Sequence, residues 1–225
     1  MKPKIVMHSQ ISLDGRIKGF DNPEIYYQVA GEISADAVLF GSNTVFTAFE
    51  EYPTETEADF EKTSIDMNDT RPIGVIPDSR GILRNLHCLR NLGYLKQIII
   101  LVSTATPKEY LDYLEKRNYA YIVAGNDHVD YEKAFQILYE QYGCECIRTD
   151  SGGKLTSILL ENGLVDEISL VISPCFVGNK EKCLFESLLL PEKIELELMK
   201  TEIVDQNYLS LRYTVKYNNS HRTQE

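Results

Sequence analysis

The clearest pattern in the chain is QIIILVS at 97–103, an unbroken apolar, mostly β-branched run of the kind that forms a strand buried on both faces. Shorter runs of similar character occur in KPKIVMHSQ (2–10), ADAVLFG (35–41), RPIGVIPDSRG (71–81), AYIVAG (120–125), CECIRT (144–149) and DEISLVISP (166–174). Between them lie stretches with helical spacing of apolar positions. These are NPEIYYQVAGEIS (22–34), SNTVFTAF (42–49), TPKEYLDYLEKRN (106–118), DYEKAFQILYEQYG (130–143) and KLTSILLENG (154–163). Pro23 and Pro107 suit first turns, Ser42 or Asn43 suits an N-cap, and Gly143 and Gly163 suit helix ends. At the end of the chain, IELELMKTEIV and YLSLRYTVKY alternate with period two across a two- or three-residue gap, which predicts an antiparallel hairpin.

Alternating strands and helices followed by a hairpin predict an α/β fold with a mostly parallel central sheet and an antiparallel C-terminal hairpin. No linker or repeat breaks the pattern, so the reading is one domain over 1–217 with a flexible tail at 218–225. The stretch 50–70, EEYPTETEADFEKTSIDMNDT, is polar and acidic and lacks a clear period. It reads as a lid, a disordered segment or a solvated insertion.

Composition narrows the function classes. With 225 residues, 43% of them hydrophobic, the chain is long enough for a full core. A formal net charge of −11 and no basic cluster argue against nucleic acid. No apolar run approaches a membrane span. Five cysteines, including Cys144 and Cys146 placed to share a strand face, have neither disulfide-framework nor zinc-site spacing, so they read as buried thiols in a reducing cytoplasm, with no metal.

In open α/β sheets, ligands bind beyond the carboxyl ends of the strands. Five positions qualify: Asp14; Thr44; Asp78, Ser79 and Arg80; Ser103 and Thr104; Gly152 and Gly153. The paired glycines admit two readings, a tight turn or a pyrophosphate cradle at a helix N-terminus with Lys154 nearby. Neither G-x-G-x-x-G nor a G-x-x-x-x-G-K-[ST] loop is present. Ser79, Arg80, Ser103 and Thr104 suit a 2′-phosphate, although Ser103-Thr104 also suits a plain N-cap. Asp14 reads as a turn aspartate or as a group that orients substrate or relays a proton. His8 on the first strand reads as structural.

Together SLDGRI (12–17), VLFGSNTV (38–45), RPIGVIPDSRGIL (71–83) and DSGGKLTSILLENGLVDEISLVISPCFVG (150–178) resemble the riboflavin-pathway pyrimidine reductases, which share the dihydrofolate-reductase fold. The resemblance implies a three-layer sandwich, NADPH as hydride donor, a homodimer, and an activity like that of 5-amino-6-(5-phosphoribosylamino)uracil reductase, which reduces a ribosyl group to ribityl. It further implies that Gly152 and Gly153 lie against the cofactor pyrophosphate, that Thr44 contacts cofactor or substrate, that Asp14 lies near the reacting carbon, and that His8 contacts substrate. Asp150 stands one position before the place of the family's glutamate and is assigned to substrate. The family's sugar-phosphate piece, A-D-x-P-x-L-x-x-R, is absent. FTAFEEYPTETE stands in its place, and no arginine follows Thr44 before Arg71. Two alternatives stay open: a same-fold reductase of another pterin-like or heterocyclic substrate, and a nucleotide-binding module without catalysis.

Overall fold

The computed structural model describes residues 1–46, 54–60 and 69–218. In chain order its elements are β1 (Lys4–Ser12), α1 (Pro23–Gly31), β2 (Ala37–Phe40), α2 (Ser42–Phe46), a 3-10 turn (Glu57–Phe60), β3 (Ile73–Pro77), α3 (His87–Arg90), β4 (Gln97–Val102) and α4 (Lys108–Lys116). There follow β5 (Ala120–Val123), α5 (Tyr131–Tyr142), β6 (Cys146–Asp150), α6 (Gly153–Glu161), β7 (Glu167–Ser173), β8 (Glu195–Val204) and β9 (Tyr208–Lys216). The chain divides into two compact units, Met1–Pro3 with Ala35–Ile147, and Lys4–Ser34 with the chain from Arg148 onward.

The first unit is built on four parallel strands in the order β5-β4-β3-β2. Residues Ile98 to Val102 of β4 are all buried, as their unbroken apolar pattern requires. Ile76, Ile98, Ile100 and Val102 form one core with Leu83, Leu86, Leu89, Tyr110, Leu114 and Tyr119. The second unit carries the order β6-β1-β7-β9-β8, with β1 and β7 parallel and β7-β9-β8 antiparallel. α1 packs Ile25 and Val29 against Val171, Val204 and Tyr208. The mostly parallel strands and the antiparallel C-terminal hairpin agree with the sequence pattern.

Three details differ from it. α3 was not expected, because four residues are too few to show a helical period. β6 begins at Cys146, so Cys144 precedes the strand; Cys144 is fully buried and Cys146 half-buried. Pro107 is the N-cap of α4, with extended backbone, and stands just outside the first turn. Of the acidic stretch, only Thr54–Phe60 and Asp69–Thr70 are described, and of the tail only Asn218. The questions of a lid and of a flexible tail fall mainly outside the described residues. Among the described residues no helix is long and apolar enough to cross a membrane.

Candidate functional site

In the second unit, β1 ends at Ser12 and the chain turns tightly. Gly15 N–H donates to the Ser12 carbonyl at 2.9 Å, and Arg16 N–H donates to Ser12 Oγ at 3.0 Å. The turn holds the Asp14 carboxylate over the loop that follows β7. It accepts from Ser12 Oγ at 2.6 Å, Gly178 N–H at 2.8 Å and Val177 N–H at 3.1 Å, and Arg16 Nε lies 3.5 Å away. The Ser12 hydrogen bond, followed by those from Val177 and Gly178, holds the carboxyl far below the usual range. These hydrogen bonds favour the carboxylate form of Asp14.

The same turn meets a later stretch of the loop. Ile17 N–H donates to the Lys182 carbonyl at 3.1 Å, Leu184 N–H to the Gly15 carbonyl at 3.0 Å, and Arg16 Nη1 to the Glu181 carbonyl at 2.9 Å. The Leu184 carbonyl in turn lies against the first residue of α6. A Cβ at Gly153 would come within 2.3 Å of that oxygen, so no side chain fits there. Gly152 is different. Its φ of −72° and ψ of 174° are open to any residue, and an added Cβ would meet only Ile17 Cδ1, at 3.9 Å. Packing thus requires Gly153 and leaves Gly152 unexplained by the protein itself. Gly152 is the N-cap of α6 and offers no side-chain hydrogen bond to the first turn. The helix start thus presents backbone N–H groups and the positive end of its dipole beside a residue without a side chain, which is how proteins receive phosphate groups.

Asp150 lies just before this point, but its carboxylate is held by Arg148 through Nε at 2.8 Å and Nη2 at 3.0 Å. Arg148 also donates to the Ala30 carbonyl at 2.8 Å. The Tyr26 phenol lies beside Asp150; burial first, then that carboxylate, pushes its pKa upward. His8 stacks on Tyr26 with ring centroids 4.5 Å apart and is only 1% exposed. Its Nε2 is 3.1 Å from the Tyr26 carbonyl and its Nδ1 3.0 Å from Ser169 Oγ. A carbonyl only accepts, so the ring carries its proton on Nε2 and accepts from Ser169 on Nδ1. Burial lowers its pKa to about 4. The structure therefore places His8 inside a packed network, with no ring nitrogen open to a ligand.

In the first unit, the polar residues after the strands fall into two groups. Ser103 is 1% exposed; its hydroxyl lies 3.4 Å from Thr106 Oγ1 and donates to the Asp127 carbonyl at 3.3 Å. Thr106 Oγ1 donates to the Ser79 carbonyl at 2.9 Å, tying the loops after β3 and β4 together. Thr44 on α2, Arg80 and Thr104 are exposed, and Ser79 is half-exposed. Ser42 anchors α2 by donating to the Pro77 carbonyl at 2.7 Å. The turn that presents Ser79 and Arg80 is built by Asp78, whose carboxylate accepts from Leu83 N–H at 2.8 Å. Gly81 completes it; its φ of +65° and close approach to the Tyr110 ring exclude a side chain. Of the stretch in place of the sugar-phosphate piece, residues 47–53 lie outside the described residues. Glu55 pairs with Arg117 at 2.7 Å, and the Asp59 carbonyl accepts from Arg90 at 2.6 Å. These two arginines come from α3 and from the residue after α4.

Ser12, Arg16, Val177, Gly178, Leu184, Arg148 and Thr106 were not legible as site residues. Val177, Gly178 and Leu184 contribute backbone N–H groups to distant partners, and Arg16 and Thr106 reach the carbonyls of distant residues, which leave no mark in side-chain chemistry. Ser12 and Arg148 had a signal, each standing two positions from the aspartate it holds.

Residues 3–210 match the family of the RibD C-terminal domain. A relative from Methanothermobacter thermautotrophicus, 2,5-diamino-6-ribosylamino-4(3H)-pyrimidinone 5′-phosphate reductase, is 27% identical over 96% of this chain and 100% of its own length. Among solved structures, RibD from Acinetobacter baumannii superposes with a TM-score of 0.69 at 20% identity, over 96% of this chain; the chain spans 58% of that protein. Dihydrofolate reductase from Enterococcus faecalis shares the fold more distantly, with a TM-score of 0.50 at 10% identity.

Proposed function

Because the chain belongs to the RibD C-terminal domain family, we propose that it is an NADPH-dependent reductase of the riboflavin pathway. Its substrate on this reading is 2,5-diamino-6-ribosylamino-4(3H)-pyrimidinone 5′-phosphate, the compound in the name of the Methanothermobacter relative, and its product is the ribityl compound that the family resemblance implies. The observation that carries the cofactor half is the open approach to Gly152 at the start of α6. The pyrophosphate of NADPH fits there, on the backbone of Gly152 and Gly153. For the first unit taken by itself, Arg80 and Thr104, with Ser79, are exposed donors of the kind that suits a 2′-phosphate. On the same reading Ser103, packed on Thr106, and Thr44, exposed on α2, belong to the cofactor contacts of that unit.

When bound, the cofactor would supply the hydride that reduces the sugar carbon bonded to the ring-linked nitrogen. Asp14, its carboxylate form favoured by the hydrogen bonds it accepts, favours the opened, protonated imine form of the ribosylamine over the neutral closed ring. Orientation provides most of the remaining rate. His8 acts by seating α1 through the Tyr26 carbonyl, and Asp150 by fixing Arg148 and Tyr26 at the substrate side. The five free thiols suit a reducing, cytoplasmic setting.

We further propose a homodimer formed through the outer strand β8. Leu196, Leu198 and Ile203 are 46%, 52% and 73% exposed, an apolar content unusual for an edge strand facing water. Thermal-shift titration tests the cofactor assignment. NADPH is expected to raise the unfolding midpoint more than NADH at equal concentration, and no shift with either nucleotide would contradict it.

A further inference from the structure

Taking the start of α6 as the pyrophosphate seat, as proposed above, we infer that Asp14 also positions that seat, through the chain of contacts from Asp14 to the loop 177–184, to the Leu184 carbonyl and to Gly153. Each link is a short contact within the second unit. The Asp14 carboxylate fixes Val177 and Gly178 by their N–H groups at 3.1 and 2.8 Å. The backbone of Gly15 and Ile17, together with the Arg16 guanidinium, fixes Glu181, Lys182 and Leu184. The Leu184 carbonyl then rests on Gly153, where not even a methyl group fits.

The turn thereby grips the loop at both ends, and the loop sets where the first turn of α6 stands. The same turn carries Ile17, whose Cδ1 is the closest atom to the open face of Gly152. Asp14 and the α6 N-terminus therefore move together. A group that binds at Gly152 senses whether the Asp14 carboxylate is holding its loop. Asp14 and Gly153 are positioning residues for the cofactor, in addition to the charge Asp14 offers the substrate.

The test is a double-mutant cycle read as the NADPH dissociation constant, from fluorescence titration of the folded protein well below its unfolding midpoint. Asp14→Asn and Gly153→Ala are each expected to raise the constant on the order of tenfold. The double variant is expected to raise it about as much as the stronger single one, because both break one linkage. Glu167→Gln, at the start of β7 where the loop does not reach, serves as the control for stability alone and is expected to leave the constant unchanged. Should Asp14→Asn fail to fold, Ser12→Ala removes one donor to the same carboxylate and is expected to raise the constant about threefold.

An unchanged constant in Asp14→Asn, or in Ser12→Ala where it stands in, would overturn the inference. So would multiplying effects in the double variant, or an equal loss in Glu167→Gln. Failure of the wild-type protein to bind NADPH would instead overturn the cofactor assignment itself.

Discussion

A methyl group added at Gly153 points into the Leu184 carbonyl, whereas one added at Gly152 meets nothing nearer than 3.9 Å. Gly153→Ala is therefore expected to lose about 1–3 kcal/mol by overpacking, while Gly152→Ala stays within about 1 kcal/mol of the wild type. Urea unfolding of the two variants checks this; equal losses would contradict the division of roles. His8 gives a pH-dependent counterpart. Its folded pKa of about 4 lies below the ordinary value of 6.5. Between those pH values the unfolded chain binds a proton that the folded one refuses. Stability therefore falls as pH drops from about 6.5 to about 4 and gains no further slope from His8 below that. The loss amounts to about 3 kcal/mol. Gln at position 8 retains hydrogen bonds without titrating, so His8→Gln is expected to lack this component when unfolding midpoints are followed against pH.

At the scale of elements, α5 and α6 start in contrasting ways. α5 is capped by Asp130, which accepts from Lys133 N–H at 3.0 Å, while α6 starts at a glycine with no cap. Asp130→Ala is expected to cost about 1 kcal/mol. Gly152→Asp is expected to gain a few tenths of a kcal/mol by capping α6, and to abolish the NADPH thermal shift because the new carboxylate repels the pyrophosphate. A shift that survives in Gly152→Asp would argue against the seat.

The elements themselves were legible because each one's periodicity is local: the unbroken run of β4, the alternation of β8 and β9, the spacing of α4 and α5. The contacts that assemble the site were not. Asp14 receives Val177 and Gly178 from more than 160 residues away. The need for glycine at 153 arises from a carbonyl whose side chain is irrelevant. His8 looked like a substrate contact by its place in the family pattern, yet packing against Tyr26 and Ser169 encloses it. The double glycine stood out in the sequence; that packing demands glycine at 153 and leaves room at 152 emerged only from the three-dimensional contacts.

At the scale of the whole molecule, two expectations concern association and chemistry. With Leu196, Leu198 and Ile203 exposed on β8, light scattering at micromolar concentration is expected to give a dimer mass, and Leu198→Lys a monomer. A wild-type monomer would contradict the dimer. The net charge of −11 means that local groups would have to hold an anionic cofactor against the overall field. In the acidic stretch 46–57, the Glu55–Arg117 ion pair is already closed within the protein.

The chemistry itself is decided by mixing the purified protein, NADPH and 2,5-diamino-6-ribosylamino-4(3H)-pyrimidinone 5′-phosphate, and following NADPH absorbance together with the sugar product. NADPH is expected to be consumed in step with ribityl product, faster than with the corresponding uracil compound. A folded protein that binds NADPH and consumes none with either pyrimidine would contradict the assignment as a reductase of this pathway.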